Sequence, residues 1–205
     1  MAMLEKFTVY FITDSKYGKH EELAKKALEG GVRAIQFREK RMTSKEMYKI
    51  AKKLRKITLE YDSILVINDR VDIAIASDAD GVHVGQSDLP YEVISDIFDG
   101  YIGVTAKSVE EAILAEKYAD YLGVGPIFET RTKKDAGHPI GLAGLRKIAE
   151  SVNIPVIAIG GIKKGLVKDV LEAGAFGIAV ISEIAASGDV TRAAKELVDI
   201  VKKFK

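Results

Sequence analysis

The chain is predicted to be an α/β protein, a single (β/α)8 TIM barrel spanning residues 1–205. Short β-branched runs alternate with longer helical patterns along its length, the order expected of a parallel sheet with helical crossovers. Eight such runs fit eight strand–helix units, and a chain of 205 residues lies near the lower size limit of roughly 200 for such barrels. Several runs are continuously apolar, as in strands covered on both faces.

The elements follow in order. "FTVYFIT" (7–13) is the first strand. "HEELAKKALEGG" carries Leu23, Ala24, Ala27 and Leu28 on one helical face and ends at Gly30–Gly31, a stop signal. "VRAIQFRE" (32–39) is the second strand, and "SKEMYKIAKKLRKITLE" repeats the helical period behind an N-cap at Thr43 to Glu46. "SILVIND" (63–69), "DGVHVG" (80–85) and "YIGVTA" (101–106) are strands three to five, with the helical "SVEEAILAEKYA" after them. "DYLGVGPIF" (120–128), "IPVIAIGG" (154–161) and "FGIAVI" (176–181) complete the eight. An open doubly wound sheet is the alternative, but it calls for a glycine-rich dinucleotide loop after strand one, and "ITDSKYGKH" does not match.

Composition excludes several classes. Hydrophobic residues make up 47%, the net charge is +1 and cysteine is absent. No charge excess points to nucleic acid or a membrane surface, and disulfides and thiolate metal sites are ruled out. No signal peptide is evident, nor an apolar run near the ~20 residues that span a bilayer. The expectation is a soluble, cytoplasmic protein with small-molecule partners. The only amides are Asn68, Asn153, Gln36 and Gln86, against 30% charged residues, a balance that points to a thermophile.

In such a barrel, chemistry gathers where strands end and βα loops begin. The unusual residues fall there: Gln36, Arg38 and Lys40; Asn68 and Asp69; "HVGQSD"; Thr105; "GPIFETRTKK"; Gly160–Gly161; and Ile181–Ser182. Glycines 160 and 161 let a backbone approach an anion closely, and loops seven and eight are where such barrels often hold phosphate; a plain tight turn is the other reading. Asp69 and Asp88 suit Mg²⁺, which takes few protein oxygens, although each also precedes a helical segment and could cap it. Arg38, Lys40 and Lys133 are suited to phosphate, while Lys133–Lys134 could equally be a solvated loop. Thr130 and Thr132 alternate with charged residues, and the stretch from Thr130 to His138 has no hydrophobic anchor except Ala136, as in a flap. His20 opens a helix, His83 lies inside strand four as a core residue, and His138 ends the flap. No Ser/His/Asp set or HExxH is visible, so phosphates, metal and cations carry the chemistry.

"QFREK", "INDRVDIA", "DGVHVGQSDLP", "GPIFETRTKKDA" and "AIGGI", in this order, resemble the motifs of the thiamine phosphate synthase family, over nearly the whole chain. The family joins hydroxymethylpyrimidine diphosphate to a thiazole phosphate and releases pyrophosphate. The resemblance implies that Gln36, Phe37, Arg38, Glu39, Lys40, Asn68, Thr105 and Lys133 hold the pyrimidine diphosphate. It implies Mg²⁺ on Asp69 and Asp88, and thiazole phosphate on Thr130, Arg131, Thr132, Gly161, Ile181 and Ser182. Arg38, Lys40, Lys133 and Thr105 would be catalytic in a dissociative transfer, and a homodimer is a candidate assembly. Where the family usually has Ser and, two residues later, His, this chain has Thr105 and Lys107. A sister group, the thiazole tautomerases, uses that His, so its absence here favours the synthase. A non-catalytic phosphate-ligand sensor is the third reading.

Overall fold

The computed structural model describes residues 4–130, 132 and 137–204. Eight parallel strands close into a barrel in sequence order: β1 Val9–Thr13, β2 Ala34–Phe37, β3 Ile64–Asn68, β4 Gly81–Val84, β5 Tyr101–Ala106, β6 Tyr121–Val124, β7 Val156–Ile159 and β8 Gly177–Val180. Strand β1 pairs with both β2 and β8 and completes the ring. The helices are α1 His20–Glu29, α2 Ser44–Glu60, α3 Val71–Ser77, α4 Tyr91–Ile97, α5 Val109–Ala115, α6 Gly141–Ala149, α7 Val167–Glu172, α8 Ser182–Ala185 and α9 Val190–Lys203. Every expected strand is present. Several are shorter than expected: β2 leaves out Val32, Arg33, Arg38 and Glu39, and past β6 the run "GPIF" continues into the βα loop.

The helices start where local chemistry allows. Thr43 and Glu46 form a full capping box at α2, which satisfies two N–H groups that the first turn cannot bond internally. Helix α9 packs Val190, Ala194, Leu197, Val198 and Val201 inward, the apolar stripe of an amphipathic helix.

Side chains alternate between two cores. On β1, Phe11 faces the helical layer while Tyr10 and Ile12 join Ala34, Ile64, Val66, Tyr121, Ile157 and Ala179 inside the barrel. This is the period-two geometry of a strand. The interior is filled at its base by three rings: Phe7 lies edge-on to Tyr10 at 5.2 Å and 4.7 Å from Tyr121. Gly103 and Gly123 make the room. A Cβ at Gly103 would stand 2.2 Å from Tyr121 Cζ, and one at Gly123 would stand 2.7 Å from His83 Cε1. Gly103→Ala is therefore expected to destabilise the fold by about 1–3 kcal/mol, the usual cost of overpacking an interior. A thermal melt checks it; an unchanged midpoint would mean that the two rings can retreat.

Candidate active site

The strands' C-terminal ends surround a cavity of 870 Å³. Strand parity decides which residues reach it. On β2, Ala34 and Gln36 point inward and Ile35 and Phe37 outward, and Arg38 and Lys40 continue the inward series into the cavity wall. Phe37 and Glu39 do not reach it. Phe37 is fully buried in the outer core, edge-on to His20 at 4.7 Å. Glu39 accepts from the backbone N–H of Lys40 and Arg41 and lies 3.3 Å from His20 Nε2. Both belong to the turn that presents Arg38 and Lys40 to the cavity.

Asn68, Asp69, Asp88, Thr105, Thr130, Thr132, Gly161, Ile181 and Ser182 all line the same cavity. Arg131 and Lys133 lie outside the described residues. Neither aspartate caps the helix that follows it: α3 and α4 have no side-chain cap. Asp69 instead holds a left-handed backbone, φ 63°, a conformation that aspartate adopts more readily than most non-glycine residues. Its N–H donates to His83 O at 2.8 Å, and its carboxylate receives Lys40 Nζ at 2.5 Å. Asp88 Oδ2 accepts from Gly85 N–H at 2.7 Å, which folds the strand-four loop back on itself.

Burial raises the Asp69 pKa from its ordinary value; Lys40 opposes the rise and neighbouring Asp88 adds to it. Two carboxylates this close, in a partly desolvated wall, repel when both are ionised. Among the described residues no group of three or more His, Cys, Asp or Glu is arranged for a metal. A pair suits a hard cation that keeps its waters and takes other ligands from phosphate.

The opposite side of the ring is built differently. Gly160 and Gly161 have φ 98° and 67°, and a Cβ at Gly161 would stand 2.5 Å from Glu129 O, so only glycine fits. Ile181 and Ser182 begin α8, whose first N–H groups have no acceptor within the helix. Glu183 ties the two loops together, accepting from Lys164 N–H at 3.0 Å and pairing with Lys163 Nζ at 2.9 Å.

Several cavity residues were not anticipated. Tyr10 and Tyr121 are polar-tipped aromatics at inward positions of otherwise apolar strands, a signal that strand parity could have exposed. His83 is a satisfied, buried side chain as expected, bonded to Tyr121 and Thr105; it also forms part of the cavity wall. Lys107, in the family's usual His position, lines the cavity as well.

The thiamine monophosphate synthase family model matches residues 9–184. The chain is 58% identical to the thiamine-phosphate synthase of Archaeoglobus fulgidus, over 100% of this chain and 99% of that one. It is 50% identical to that of Pyrococcus furiosus over 99% of each. The solved structure of a thiamine phosphate pyrophosphorylase from Pyrococcus furiosus superposes with a TM-score of 0.93 at 49% identity, covering 98% of each chain. Barrel, cavity and likeness agree from end to end: the chain belongs to the thiamine monophosphate synthase family, and it is a transferase.

Proposed function

We propose that the protein joins hydroxymethylpyrimidine diphosphate to thiazole phosphate, giving thiamine phosphate and pyrophosphate. One observation carries the reading. Two differently built groups of residues lie across one cavity from each other: cations and a carboxylate pair at the ends of β2 to β4, and a glycine-rich backbone turn at the ends of β7 and β8. That suits one substrate bearing a leaving diphosphate and a second bearing a retained phosphate.

Arg38, Lys40, Asn68 and Lys133 hold the diphosphate, with Thr105 giving its hydroxyl hydrogen. Asp69 and Asp88 would hold Mg²⁺, which supplies charge neutralisation on the departing group. Gln36 Oε1 is buried and has no hydrogen-bond partner among the described residues, an acceptor suited to the pyrimidine's amino group. Thr130, Arg131, Thr132, Gly161, Ile181 and Ser182 hold the thiazole phosphate. The pyrimidine–diphosphate bond breaks first, and the thiazole nitrogen captures the pyrimidinylmethyl cation. Such a transfer needs fixed positive charge around a leaving group rather than a nucleophile.

Incubating the protein with both substrates and Mg²⁺ and following pyrophosphate and the joined product by mass spectrometry tests this. Both must appear in equal amounts. Conversion of the thiazole alone, without pyrophosphate, would point to the tautomerase reaction, and binding without turnover to a sensor.

The two anion sites are separable. Ser182→Pro removes a backbone N–H at the first position of α8, where proline's ring is otherwise tolerated. Thiazole phosphate affinity is expected to fall about tenfold, in the range for one lost hydrogen bond to a charged group, with diphosphate affinity nearly unchanged. Calorimetry on each ligand reads it, and equal losses for both would contradict the assignment.

A further inference from the structure

Five side chains make one hydrogen-bonded chain across the cavity floor. Gln36 Nε2 donates to Tyr10 OH at 2.8 Å. Tyr10 OH lies 3.1 Å from Tyr121 OH, a contact between residues 111 positions apart. Tyr121 OH lies 3.2 Å from His83 Nδ1, and His83 Nε2 lies 3.0 Å from Thr105 Oγ1. Both ends, Gln36 and Thr105, line the cavity.

The chain has a direction. Burial raises the pKa of both phenols, so each keeps its single hydrogen to give. With Gln36 giving to Tyr10, both buried phenol hydrogens find an acceptor in the chain in one direction only: Tyr10 gives to Tyr121, and Tyr121 gives to His83 Nδ1. The His83 proton therefore lies on Nε2 and is given to Thr105, whose own hydrogen is left for the cavity. At the other end, Gln36 Oε1 is left as a buried, unpartnered acceptor.

We propose that this relay determines specificity: it matches a ligand that accepts a hydrogen bond at Thr105 and donates one at Gln36, and it couples the two ends. The inference rests on the synthase reading, which places a diphosphate at Thr105 and an aminopyrimidine at Gln36. A phosphate oxygen only accepts, so it holds Thr105 as donor and, link by link, holds Gln36 with its oxygen outward. A ring bearing a carbonyl in place of the amino group would set one lone pair against another, or force every link to reverse. Tyr10, Tyr121 and His83 are positioning residues: they set which end of the Gln36 amide the ligand meets.

The test is a ratio. Measure kcat/KM for the aminopyrimidine diphosphate and for its counterpart with oxo in place of amino. The wild type is expected to prefer the amino compound by roughly 10²-fold or more, since buried polar groups reject a ligand that leaves them unpaired. Tyr10→Phe frees the Gln36 amide to turn, and the preference should drop about tenfold. In Tyr121→Phe, Tyr10 has no phenol to give to and gives to Gln36 Oε1, which turns Nε2 outward. The preference should fall at least as far, although Tyr121 touches neither end. Tyrosines with a merely structural role would lower both values together and leave the ratio intact, which would overturn the proposal. Should either variant unfold, ¹⁵N NMR of wild-type His83 with pyrophosphate and Mg²⁺ decides: a proton on Nε2 supports the relay, and one on Nδ1 overturns it. That measurement needs no turnover. Failure of the wild type to release pyrophosphate from either pyrimidine would refute the synthase reading alone.

Discussion

Asp69→Asn and Asp88→Asn are each expected to lower pyrophosphate release by roughly 10²-fold or more, because a lost metal ligand removes several kcal/mol of charge stabilisation. The magnesium concentration for half-maximal rate should rise in both. The fold should survive, and at Asp69 there is a reason to expect more than survival. Its pKa is raised, first by burial and further by Asp88. The folded protein therefore binds a proton that the unfolded chain has already lost, and stability falls as pH rises from the ordinary aspartate range towards the raised value. Asparagine removes that loss. With chelator present, Asp69→Asn should melt at or above the wild-type temperature at neutral pH, and the difference should close in acid, below both pKa values. Magnesium should raise the wild-type melting temperature and leave that of Asp69→Asn nearly unmoved. A wild-type magnesium response in both variants, in rate and in melting, would remove the metal from these aspartates.

Lys133→Ala carries the second large effect. If Lys133 joins Arg38 and Lys40 around the leaving diphosphate, its charge matters most as the bond breaks and negative charge builds. Interactions that strengthen in the transition state raise kcat, whereas uniform binding mainly lowers KM. The variant should lose roughly 10²-fold in kcat, comparable to losing one oxyanion donor, while KM for the pyrimidine moves much less. An electron-withdrawing substituent at the pyrimidine methyl should slow the reaction strongly, because it destabilises a cation. A change in KM alone would make Lys133 a binding clamp. A normal rate for the substituted pyrimidine, with chemistry limiting, would favour direct displacement.

The barrel could be read from the sequence because its signal is local. Each strand is an apolar run, and each helix repeats its own period, as at Leu23, Ala24, Ala27 and Leu28. The βα rim followed from the same pattern, since the strand ends carry the charges. What a contiguous motif conceals is parity. "QFREK" reads as one functional block, yet Phe37 and Glu39 turn to the helical layer while Gln36, Arg38 and Lys40 turn to the cavity. Long-range contacts were less legible still. Nothing in the sequence joins Tyr10 to Tyr121, and the glycines at 103 and 123 gain meaning only once two rings are seen against them. The left-handed backbone of Asp69 is likewise tied to a residue distant in sequence, His83, whose carbonyl accepts its N–H.

The crystal structure of the protein with Mg²⁺, pyrophosphate and thiamine phosphate tests the central claim most directly. Pyrophosphate and metal should lie together at Asp69 and Asp88, within reach of Arg38 and Lys40. The thiazole phosphate should lie across the cavity on Gly161, Ile181 and Ser182, with the pyrimidine's amino group on Gln36 Oε1. A metal bound away from both aspartates, or one shared anion site for both phosphate groups, would contradict it.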